Sequence, residues 1–269
     1  MLDCQIRWLA QISHYRIQIF GSGRTDDDKL AIKMTSFNRL LPNPALQQVA
    51  TAFDVERQVL TPELSQSVED KEKIAAGLLL CLSMMVGQTI AVAAAREPEV
   101  SSGVERDKTD GKPFEGVKIE RLDRIYPPGR NQGLIDFKLV CRLPTQAQIQ
   151  LGICILPFTD PKIVSEACTK LLVYKDFGLD RLCLIRQSDL MTNVRQLPTC
   201  LPKLLSTDIG GNFIPLKSKD VLFLLTTLSV FQHKQQHGIT TDLMFAYLIQ
   251  SELLTKNELI KSILIAAQF

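Results

Sequence analysis

This chain lacks the short motifs that announce a catalyst. There is no GxSxG elbow for a hydrolase serine, no GxxxxGK[ST] or GxGxxG loop to cradle a phosphate, and no CxxC pair. Histidine and tryptophan are scarce, three and one in 269 residues, and no cysteine has a histidine-based activation pattern beside it. A charge excess is also missing. The 31 basic and 29 acidic side chains leave a net +2, so no global field argues for nucleic acid or for basic partners. The seven cysteines are odd in number, widely spaced and set mostly among aliphatic residues. They read as buried thiols in a reducing compartment, not as disulfides or zinc ligands. The N-terminal Met1-Leu-Asp-Cys-Gln-Ile-Arg7 lacks the basic-then-apolar layout of a signal peptide, so a cytoplasmic location is expected.

What the chain does have is a long stretch without charge, residues 74–95. By length it matches a bilayer span, which makes a membrane-anchored cytosolic domain one alternative. Gly77, Ser83, Gly87, Gln88 and Thr89 dilute it, however. The flanks Asp70-Lys-Glu-Lys73 and Arg96-Glu-Pro-Glu99 carry no clear positive excess, and no Trp or Tyr marks an interface. The reading preferred here is a long helix buried in a protein core, where its small residues admit close neighbours and Gln88 finds a hydrogen-bond partner.

Along the chain, 4–12, 15–20 and 30–37 read as strands, with a polar turn from Gly21 to Asp28. Asn43-Pro44 starts a helix over 45–60, and Thr61-Pro62-Glu63 starts the long helix, reaching about Ala95 with a break near Gly87. Residues 97–116 are a polar loop. Strands are expected at 117–125, 134–143 and 147–156, the last two forming an antiparallel hairpin. Asp160-Pro161 caps a helix that ends at Gly178, and 181–186 returns as a strand parallel to its predecessor. Helices follow at 191–205, from Ser218 to His237, from Thr240 or Thr241 to about Leu253, and finally behind Thr255-Lys-Asn-Glu258, read as a capping box. Residues 208–213 read as a turn. The fold class is α/β (α+β), a mixed sheet with a long buried helix followed by a helical C-terminal module. The parts are 1–60, 61–190 and 191–269.

This order of elements over residues 62–187 resembles the αβββαβ core of the PD-(D/E)xK nuclease-like fold. In that family an acid on the second core strand and a (D/E)xK on the third hold a divalent metal and the attacking water. The resemblance implies Asp136 at the first position, Glu69 or Glu72 as the helix acid, and Mg²⁺ as cofactor. The third strand departs from the pattern. Residues 147–156 contain no carboxylate and no lysine, and Gln148 or Gln150 stands about where the motif belongs. A neutral amide brings no charge to Mg²⁺.

Other residues carry weaker signals. His233 and His237 sit at i and i+4, a zinc-ligand spacing, but Lys234 replaces the glutamate of HExxH; the reading preferred is a solvated polar helix end, where His and Lys suit the negative dipole. Arg121, Arg124 and Arg130 beside Tyr126 form an arginine-rich stretch that could grip phosphate or stack on a base. The C-terminal helices could form a helix-turn-helix module with Lys256 and Lys261 reaching phosphate, a weak neutralisation. The sequence is therefore read as a non-catalytic recognition or scaffold subunit without a cofactor. A protein partner comes first and nucleic acid second, and a divergent metal-dependent nuclease is the alternative.

Overall fold

The computed structural model describes residues 43–60, 68–90, 116–123, 134–158, 160–187, 200–206 and 209–268. The strands expected between 4 and 37, the turn at Gly21, most of the polar loop and the turn through Tyr126 lie outside the described residues. The chain divides into two compact units, Met1–Gln48 and Val49–Phe269, and nearly everything below concerns the second.

Helix α1 (Pro44–Val59) begins as Asn43-Pro44 leads one to expect, with Asn43 Oδ1 accepting the Ala45 N–H at 3.0 Å. Helix α2 (Val68–Met84) carries the first half of the uncharged run. The run does not remain helical to Ala95. Gly87 adopts φ +87°, where a side chain would be strained, and the chain turns. The half-buried Gln88 then donates from Nε2 to the Met84 carbonyl at 3.2 Å, answering one of the acceptors that a helix end leaves open. Thr89–Ile90 continues as a short strand, β1. Among the described residues no helix is long and apolar enough to cross a membrane. Instead α2 lies against α5 (Ser218–Gln232). A Cβ placed on Gly77 would come within 2.6 Å of the Leu224 carbonyl oxygen, so this glycine is what permits the contact.

The sheet is mixed, in the order β1, β2 (Val117–Asp123), β3 (Phe137–Arg142), β4 (Gln148–Ile155), β5 (Arg181–Gln187), β6 (Gly211–Leu216). Pairing is antiparallel through β4, and β5 and β6 add in parallel. The expected hairpin closes with Leu143 N–H donating to Ala147 O at 2.9 Å, and Gln146 takes φ +66° in the turn. The expected parallel pair is joined by α3 (Pro161–Leu171), whose N-cap Asp160 accepts the Lys162 N–H at 2.8 Å. After a short 3₁₀ turn (Tyr174–Phe177), Gly178 at φ +68° leads into β5.

Strand β6 corrects the sequence reading, which placed a turn at 208–213. Gly210-Gly-Asn212 looks like turn chemistry and Pro215 looks like a breaker. Yet β6 is the outer strand, where a proline without an N–H is tolerated. A short helix α4 (Cys200–Leu204) precedes it.

Alternation on the strands sends side chains to opposite faces. On β4 and β5, Cys154, Leu182 and Leu184 point into a cluster with Val164, Ala167, Cys168 and Leu171 of α3 and Leu201 and Leu204 of α4. The opposite side chains, among them Leu151, Ile153, Cys183 and Ile185, are fully buried as well. The helical C-terminal part consists of α5, α6 (Thr241–Gln250) and α7 (Glu258–Ala266). Helix α7 packs on β5 and β6 and buries Leu259, Ile260, Ile263 and Leu264, so it is a core helix. Its N-cap is Asn257, whose Oδ1 accepts the Ile260 N–H at 3.1 Å, and not the expected Thr255, which donates back to the Glu252 carbonyl. Leu254 and Leu259, expected as the hydrophobic staple, are both buried.

Candidate functional site

Asp136 stands one residue before β3, where the β3–β4 ladder runs out. Its own N–H donates to Ile153 O at 2.8 Å, while its Oδ2 accepts the Ile155 N–H at 2.7 Å in place of a backbone acceptor. The other oxygen, Oδ1, lies 3.2 Å from the ammonium of Lys71 on α2, and both side chains are nearly closed to solvent. Burial pushes the Asp136 pKa up to about 6; the Lys71 charge and the Ile155 N–H pull the other way and lose.

The remaining residues of the nuclease-like set do not join it. Glu69 is exposed and pairs with Lys73 at 2.7 Å, and Glu72 is exposed. The Gln148 amide donates to Glu120 at 2.7 Å, and the Gln150 carbonyl oxygen accepts from Lys138 at 2.7 Å. A divalent cation of this class needs several oxygen ligands, at least one of them charged. Here the one central carboxylate already has a cation and an N–H on its two oxygens. Among the described residues no group of three His, Cys, Asp or Glu could hold a metal ion. The residues do not fit Mg²⁺.

The two histidines have a different employment. His233 is the C-cap of α5, and His237 lies one turn on. Both address Glu56 of α1: His233 Nδ1 at 3.1 Å and His237 Nε2 at 2.7 Å from the same Oε1, while the Ser229 hydroxyl donates to Oε2. Burial would raise the Glu56 pKa, but the bonds from Ser229 and His237 and the neighbouring His233 together bring it below its ordinary value. The cluster is a hydrogen-bonded clasp between α1 and α5.

Three of the basic residues singled out in the sequence pair with neighbouring carboxylates. Arg121 pairs with Asp123 at 2.7 Å, Lys256 with Glu252 at 2.6 Å and Lys261 with Glu258 at 3.2 Å. Arg124, Tyr126 and Arg130 lie outside the described residues. The described cysteines are free, and all but the half-buried Cys200 are buried. Burial pushes the thiols of Cys81, Cys141 and Cys168 up to about 12 and those of Cys154 and Cys183 further still. None of these five offers a thiolate nucleophile at neutral pH.

Lys71 and Glu56 were not among the candidates read from the sequence. Glu56 left a signal: Val49, Ala52, Phe53 and Glu56 follow helical spacing, which sets the carboxylate on the buried stripe of α1. Lys71 left none, being one charge among five in a row. No protein-family model, curated protein or solved structure matches the chain.

Proposed function

We propose that this chain is a non-catalytic recognition or scaffold subunit that binds a protein partner in the cytoplasm. One contact carries the reading, the Lys71 ammonium 3.2 Å from the Asp136 carboxylate. It puts a fixed cation where a metal-dependent nuclease would need an open carboxylate. The raised thiols of the core cysteines support it, since they remove the nearest alternative nucleophiles. The pairing of Arg121, Lys256 and Lys261 with neighbouring carboxylates favours protein over nucleic acid, because each phosphate contact would first have to break an ion pair.

The test is incubation of the protein with single- and double-stranded DNA in Mg²⁺ or Mn²⁺, beside a mobility-shift assay over a salt titration. The expected result is no cleavage and no salt-dependent retention. Metal-dependent cleavage that Asp136→Ala abolishes would overturn the reading in favour of a divergent nuclease.

A further inference from the structure

Arg186 is the next-to-last residue of β5, at the carboxyl end of the parallel β4–β5–β6 set. Alternation places it on the same face as Leu182 and Leu184, over the apolar cluster that includes Cys168. Only 5% of it is exposed. Its Nε is buried without a hydrogen-bond partner, the sole such side-chain nitrogen or oxygen among the described residues, and no ion pair reaches the guanidinium among them. The group that acts on it electrostatically is the Cys168 thiol, which lies near Cys200. Ser165 lies beside Cys200, its hydroxyl and backbone oxygen both turned to the Cys200 sulfur. Neutral thiols and a hydroxyl do not balance a buried cation.

A guanidinium keeps its charge under any working condition, so burial cannot be relieved by losing the proton. A buried charge without a partner is costly, and proteins retain one where something outside the fold supplies the counter-charge. The carboxyl ends of parallel strands are also where α/β sheets receive their ligands. The N-terminus of α3 opens at this end of the sheet, but Asp160 already occupies it with its own carboxylate. Recognition of an anion is left to Arg186.

We propose that Arg186 is the anchor of an oxyanion-binding site, taking a carboxylate or a phosphate at the carboxyl end of β5 beside the Cys168–Cys200 pair. The planar fork of nitrogens matches either group. The inference is independent of the recognition reading above, because a scaffold and an enzyme could equally use such a site.

The experiment titrates the full chain with inorganic phosphate and, separately, with acetate, chloride holding the ionic strength constant. Calorimetry and thermal melting are read for wild type, Arg186→Met and Arg186→Lys. Saturable binding with a rise in Tm is expected in at least one series. A response to phosphate alone assigns a phosphate group and a response to acetate assigns a carboxylate. Arg186→Met should lose at least about tenfold in affinity while melting, without anion, no lower than wild type. Arg186→Lys keeps the charge but not the fork and should fall between the two. No saturable response to either anion would overturn the proposal, as would equal binding by Arg186→Met. An Arg186→Met protein that unfolds or melts well below wild type would overturn it too, since Arg186 would then have its partner inside the fold.

Discussion

Asp136 and Lys71 hold each other at 3.2 Å across the junction of α2 with the start of β3, in surroundings nearly closed to water. The contact spans 65 positions of sequence. It turns the acid at the start of β3 into an internal partner, and the Ile155 N–H takes the oxygen that remains.

This pair has a pH signature. The Asp136 carboxyl rises from 3.8 to about 6, so the native state holds its proton more tightly than the unfolded chain does. Ionising it therefore costs stability as the pH rises through that window, and the loss is complete above it. Asp136→Asn removes the titration. Relative to that variant, wild type should lose roughly 2 kcal/mol between about pH 4 and about pH 7. Urea melts of both proteins across the range measure it, and a pH-independent difference would contradict the assignment.

The Glu56 clasp runs the opposite way. Its folded pKa is lowered below 4.5, so its stabilisation is present above that value and disappears as the pH falls through the folded one. Glu56→Gln should cost about 2 kcal/mol at neutral pH, through the weakened bonds to His233, His237 and Ser229. The cost should shrink toward zero in acid. Chemical denaturation at two pH values decides it.

Gly77→Ala tests the packing of α2. In an ordinary helix interior this change is stabilising by about 0.5–1 kcal/mol. Here the added methyl meets the Leu224 carbonyl oxygen at 2.6 Å, and the sign should reverse to a loss of about 1–3 kcal/mol. A thermal melt that rises would show that α2 and α5 do not touch at this point.

The cap of α7 is equally open to trial. Asn257→Ala should destabilise by about 1 kcal/mol, whereas Thr255→Ala, which removes no cap, should cost less than half of that. Equal losses would restore the capping box.

Local chemistry made much of this fold legible. Asn43-Pro44 and Asp160-Pro161 mark their helices because the cap and the fixed proline φ act within a few residues. Strands β3 to β5 show as largely apolar runs and β2 as apolar–polar alternation between turn residues. The limits are also physical. Strand β6 was hidden because its edge position, a tertiary fact, is what makes Pro215 tolerable. The break of the uncharged run at Gly87 depends on Gln88 reaching the Met84 carbonyl and on Gly87 N–H meeting Ile119 O, a partner from another strand. The site divides the same way. Asp136 stood out in the sequence only through the nuclease-like resemblance; its place in the fold depends on Lys71, and no spacing rule connects the two. Arg186 follows the alternation of Leu182 and Leu184, but only the fold shows that among the described residues no ion pair answers its charge.

The central claim is that Asp136 is committed to Lys71 and is not a metal ligand. Mn²⁺ binding to the full chain, followed by electron paramagnetic resonance of the free ion, tests it most directly. Wild type and Asp136→Asn should deplete free Mn²⁺ equally, with no saturable site that depends on Asp136. A stoichiometric site present in wild type and lost in Asp136→Asn would contradict the account.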